Sequence, residues 1–188
     1  MEEQYKKEHE KYFEKALEKA EPIGKLQKYL LPHEKEMLLN GQLLNITHKG
    51  STSAWLEAKS FDIFDKEKQT NVYRPMGDKE VLYLLEHGLL PDTQPYQAII
   101  EGMVGRSYCN LYLTGKKTTD TNPSTIVEFT CPKPLIEHLK TIQMKIEDGA
   151  LSMGLGNKAG GGLHLFNDSI RAGETTFRIV KVKRVPPK

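Results

Sequence analysis

The sequence predicts an α+β protein built on a mixed, mainly antiparallel sheet and preceded by a helical N-terminal extension. Three observations carry that prediction. Residues 2–21 place Tyr5, His9, Tyr12, Phe13, Ala16, Leu17 and Ala20 at three- and four-residue steps, the period of an amphipathic helix. Thr125-Ile126-Val127-Glu128-Phe129-Thr130-Cys131 is rich in β-branched and aromatic residues, the strongest strand pattern in the chain. Helical and strand segments do not alternate regularly, which disfavours a parallel βαβ sheet.

Taken in order, the first helix ends at Pro22 and Gly24. Along it, Lys7–Glu10, Lys11–Glu14 and Lys15–Glu18 make i,i+3 charge pairs. A second helical stretch covers about 25–31, and Pro32 opens a short helix over 33–40 that Gly41 stops. Residues 1–41 therefore read as the extension and 42–188 as the α+β domain. The segment 42–71 is mixed, and 53–58 fits a strand or a helical turn. Asn71–Pro75 reads as a short strand closed by proline, and Asp78–His87 as a helix with Asp78 at its N-cap and Gly88 at its stop. Residues 106–114 alternate apolar with polar and predict a strand. Pro132 and Pro134 end the 125–131 strand, and 134–147 predicts an amphipathic helix. Five glycines crowd the nine residues Gly154–Gly162. Strands are expected at Leu163–Phe166 and Thr175–Val182.

Composition bounds the function. The chain has 188 residues and a net charge of +2, with 27 Lys+Arg against 25 Asp+Glu, so nothing demands a phosphate-backbone partner and nucleic-acid binding is disfavoured. Cys109 and Cys131 show no CxxC spacing, so neither a disulfide framework nor a structural zinc site is expected. The histidines form no HxxxH pair, and no metal is expected. No apolar run nears the roughly 20 residues that cross a bilayer, and the N-terminus is too charged for a signal peptide. An intracellular, cytoplasmic protein is expected, or a module released from a longer secreted precursor.

The glycine cluster formally contains Gly154-x-Gly156-x-x-Ala159. A dinucleotide fingerprint must leave a strand and open a helix, and here the predicted order is reversed, so a Rossmann site is rejected. What remains is a loop whose backbone can approach a ligand closely, or a surface loop with none. On the strand expected after it, His164 faces opposite to Leu163 and Leu165. His164 is then either a titrating group or a structural hydrogen-bond partner. Arg74, between Tyr73 and Pro75, needs a paired anion or carbonyl groups if buried. Glu128 either faces solvent or lines a site, and Glu174 is most simply a turn residue.

The order of these motifs resembles the ADP-ribosyltransferase-fold superfamily over about 72–184, covering toxin-type transferases and related NAD glycohydrolases. Val72-Tyr73-Arg74 with the helix closing on Gly88-Leu89-Leu90-Pro91 is similar to that fold's first motif. Gly105-Arg106-Ser107-Tyr108 is similar to its second, and Gly160-Gly161-Gly162-Leu163-His164 to its C-terminal segment. The resemblance implies a split sheet binding NAD as substrate. Tyr73 and Arg74 would lie at the NAD phosphates or ribose, Arg106 would be a second phosphate contact, and Tyr108 would stack near the nicotinamide. Gly161 and Gly162 would border the site. His164 stands where that family carries Gln or Glu. A neutral imidazole cannot match a carboxylate beside a developing positive charge, so Glu128 or Glu174 supplies the carboxylate, or transferase activity is absent. Three functions follow: an NAD-consuming transferase or glycohydrolase, a protein-interaction module using helix 2–21 and loop 148–162, or a ribonuclease using His164.

Overall fold

A computed structural model describes residues 26–46, 52–58, 65–92, 97–119, 121–156 and 162–186. The expected helix 2–21 and residues 157–161 of the glycine-rich segment lie outside them. The elements run α1 (Pro32–Leu39), β1 (Leu43–Ile46), β2 (Ala54–Ala58), β3 (Gln69–Met76), α2 (Asp78–His87), β4 (Ala98–Glu101), α3 (Gly102–Leu113), β5 (Thr125–Pro132), α4 (Lys133–Ile142), β6 (Met144–Glu147), β7 (Ala150–Gly154), α5 (Leu163–Arg171) and β8 (Thr176–Arg184). The fold is α+β with antiparallel strands hydrogen-bonded in the order β1-β2-β8-β5-β3-β4-β7-β6. Among the described residues no helix is long and apolar enough to cross a membrane.

The chain forms two compact units, 1–62 with 180–188, and 63–179. Within the first, β2 pairs with the end of β8 from Ala54↔Arg184 to Glu57↔Lys181. Glu34, fully buried in the first turn of α1, accepts from the Leu31 backbone N–H at 3.0 Å and from Arg184 Nε at 2.8 Å. Lys181 sits 4.9 Å from the ring centre of Trp55 and pairs with Glu57 at 3.0 Å.

Within the second unit, β3 pairs with β5 along its whole length, from Gln69↔Pro132 to Met76↔Thr125. This pairing sorts side chains between two faces. Tyr73, Ile100 and Glu128 share one face with α3, whose Met103 meets the Tyr73 hydroxyl. Val72, Arg74, Glu101, Val127 and Phe129 share the other. There Phe166 of α5 meets Phe129 edge-on at 5.1 Å, and Lys140 of α4 pairs with Glu101 at 3.0 Å. Pro75 is tolerated inside β3 because the ladder to β4 stops at Tyr73, so its absent N–H leaves no bond unmade there.

Several expectations are corrected. Residues 106–114 are not a strand but part of α3, because the buried positions Gly105, Tyr108, Cys109 and Leu113 follow the helical period. Gly105 lets that helix settle on β4, since a Cβ there would meet the Ile100 carbonyl oxygen at 2.6 Å. Leu163–Phe166 is the first turn of α5, with Leu163, Phe166 and Asn167 turned inward, rather than a strand. The helix predicted over 134–147 ends at Ile142. Asp148 and Gly149, both at positive φ, close a two-residue hairpin between β6 and β7. The ambiguous segment 53–58 is strand β2, and the Asn71–Pro75 strand extends to Gln69–Met76. Asp78 is the first helical residue of α2 rather than its cap, which is Gly77; Gly88 ends that helix at φ +68°.

Candidate functional site

The polar groups of the α3 face gather on Glu128. The Tyr73 hydroxyl donates to Glu128 Oε2 at 2.8 Å, and Arg178 Nε donates to Oε1 at 2.8 Å. Strand pairing sets Tyr73 directly opposite Glu128, and Arg178 arrives from the neighbouring strand β8. Asn71 lies two residues from Tyr73 along the same strand, where Thr130 Oγ1 donates to its Oδ1 at 2.9 Å. Burial first, and then the Glu128 charge and hydrogen bond, hold the Tyr73 hydroxyl well above the ordinary tyrosine range. Tyr73 therefore remains a donor at any working pH. The Arg106 charge acts on the same hydroxyl from α3.

A buried carboxylate costs several kcal/mol of desolvation unless hydrogen bonds and an opposite charge compensate it. Glu128 has both, one on each oxygen. The arrangement fixes a carboxylate in one orientation, with Arg178 on one oxygen, Tyr73 on the other and the exposed Met103 at the Tyr73 hydroxyl.

The other expected site residues are dispersed. Arg74 is buried on the opposite face, where Nε donates to Glu80 Oε1 at 2.6 Å and Nη1 to the Ala98 carbonyl at 3.0 Å. Its environment is the paired anion and carbonyl that burial requires. Tyr108 is buried, with Lys117 Nζ 4.7 Å from its ring centre and bonded to its hydroxyl at 3.2 Å. Lys117 also pairs with Glu147 at 3.1 Å and Asp148 at 3.0 Å, tying the β6–β7 hairpin to α3. Lys117, then Lys145, lowers the Glu147 carboxyl from 4.5 to about 2.

His164 is exposed on α5, a helix that lies across the sheet from Glu128. The expected convergence of Arg74, Tyr108 and His164 is therefore not found, because Tyr108 belongs to the α3 face and the other two to the opposite one. Glu174 is exposed in the turn before β8. Gly162 is buried beside Leu139, and Gly161 lies outside the described residues. Burial pushes the thiols of Cys109 and Cys131 up to about 12, which disqualifies both as nucleophiles at neutral pH.

Sequence reasoning missed Asn71 and Arg178. Arg178 stands 50 residues beyond Glu128 in sequence; its strand period was readable, but the pairing of β8 with β5 was not. Comparison of the chain with protein-family models, curated proteins and solved structures gives no match.

Proposed function

We propose that the protein consumes NAD, breaking the nicotinamide–ribose bond and passing the ADP-ribosyl group to a macromolecule or to water. The observation that carries this reading is Glu128, whose two oxygens are held by Tyr73 and Arg178 on a face also bordered by Arg106. Of the two carboxylates the sequence offered, Glu128 is the oriented one and Glu174 is a solvated turn residue.

In the reaction, the C–N electron pair leaves with nicotinamide, which departs neutral, and positive charge builds on the ribose. A fixed carboxylate at about 4 Å opposes that charge with about 4 kcal/mol at an effective dielectric of about 20. Water or an acceptor hydroxyl, amine or thiol then adds to the ribose carbon and loses its proton. In this reading Arg106, whose charge reaches the same hydroxyl, receives a phosphate of the substrate, and Met103 offers apolar surface beside Tyr73. Arg74 and His164 take no part.

Nicotinamide release from NAD by the whole chain, with and without candidate protein acceptors, tests the proposal. Release that disappears in Glu128→Gln and persists in Glu174→Gln supports it. Wild-type protein that neither binds nor cleaves NAD overturns it, and leaves the interaction module through helix 2–21 as the remaining reading.

A further inference from the structure

The two groups that hold Glu128 differ in freedom. Tyr73 is 2% exposed and cannot swing away without opening the core, whereas the Arg178 side chain is 36% exposed over a Glu128 side chain exposed by only 8%. A guanidinium on Oε1 also works against the role assigned to that carboxylate. It cancels much of the negative charge that a cation on the ribose would need, and it repels the cation directly. As held in the structure, the carboxylate is oriented but electrically balanced.

We propose that Arg178 is a positioning residue that a phosphate of the substrate draws off Glu128. Oε1 is then uncovered toward the ribose while Tyr73 keeps the carboxylate oriented through Oε2. The inference rests on the NAD-consuming reading and deepens it. Guanidinium forks match carboxylate and phosphate alike. A half-exposed guanidinium exchanges one anion for another with its Coulomb and hydration terms largely offsetting. Arg106, whose charge reaches the Tyr73 hydroxyl, supplies a second cation on the same face and biases the exchange toward a substrate carrying phosphate close to the scissile bond. Phosphate therefore does more than tighten binding: it licenses cleavage. A substrate without phosphate leaves Arg178 on Glu128 and turns over slowly even at saturation.

The test compares NAD with nicotinamide riboside, which has the same scissile bond and no phosphate, on wild type, Arg178→Met and Arg178→Lys. Thermal melting verifies that each variant folds, and the lysine variant carries the comparison if the methionine variant does not. Wild type is expected to show a higher kcat for NAD than for the riboside. Arg178→Met should raise kcat for the riboside by about tenfold to a hundredfold, the weight of one hydrogen bond to a charged group, while raising KM for NAD. Arg178→Lys, which keeps the charge without the fork, should fall between. Two outcomes overturn the inference while leaving the NAD reading intact. One is an unchanged riboside kcat with only KM for NAD altered, the mark of a plain phosphate contact. The other is an equal fall in kcat for both substrates, the mark of a residue that must stay on Glu128. No cleavage of NAD by wild type would remove the reading and the inference together.

Discussion

Two arginine–glutamate pairs lie within the same unit, and they differ in exposure. In Arg74–Glu80 the side chains are 7% and 2% exposed, and a backbone carbonyl takes a further guanidinium N–H. In Arg178–Glu128 the glutamate is nearly as buried, but its arginine is at the rim and the second donor is a neutral hydroxyl. A sealed ion pair fixes a strand to a helix and offers a ligand nothing. A pair closed on one side and open on the other keeps a carboxylate oriented while leaving its cation exchangeable. Exposure of the cation, and not burial of the anion, separates structural from functional candidates here.

The largest effect on stability belongs to the sealed pair. Arg74→Met strands the Glu80 carboxylate without its partner and should destabilise the protein by about 3–5 kcal/mol. Arg74→Met combined with Glu80→Leu should recover much of that loss in urea denaturation. A full loss persisting in the double variant would mean that the Ala98 contact, not the ion pair, matters most. Next in size, Glu128→Gln should lower NAD turnover by about a hundredfold to a thousandfold, the cost of one preorganised electrostatic group, with its fold retained. Tyr73→Phe removes the buried donor to Oε2 and should cost about 1–3 kcal/mol of stability together with a fall in kcat.

The smallest effects belong to exposed charges. Arg178→Met should cost less stability than Arg74→Met, because Tyr73 still donates to Glu128 Oε2 and water reaches the rim position that the guanidinium leaves. The Lys117–Glu147 pair should show as pH dependence. Glu147 falls from 4.5 to about 2 on folding, so its contribution is present above pH 4.5 and is lost as pH drops through 2. Wild type should therefore melt above Glu147→Gln at pH 6, and the gap should close toward pH 2. A gap independent of pH would show that the pair contributes through packing alone.

Much of the fold was legible because local patterns agreed with it. The β-branched run around Glu128 is a strand, and the helix before Gly88 ends where its left-handed glycine requires. Errors arose where two periods fitted one segment. Arg106–Thr114 alternates, yet Tyr108, Cys109 and Leu113 with Gly105 also satisfy a helix, and burial against β4 decided between them. The Asp148-Gly149 hairpin signal was present and was overrun by the apolar spacing of Met144 and Ile146. The site was half legible. Glu128 stood out as a charge in an apolar strand. Its partners Tyr73 and Arg178 lie 55 and 50 residues away and meet it only through strand register, which no short motif encodes. His164 misled because its role depended on a strand that is a helix.

Under the NAD-consuming reading, Glu128, and not His164 or Glu174, is the group that stabilises the developing ribose cation. Initial rates of nicotinamide release from NAD, measured side by side for wild type, Glu128→Gln, Glu174→Gln and His164→Ala at matched folded concentration, test it most directly. Only Glu128→Gln should lose release, by at least about a hundredfold, with the other two close to wild type. A Glu128→Gln protein that releases nicotinamide at the wild-type rate, or a His164→Ala protein that does not, would contradict it.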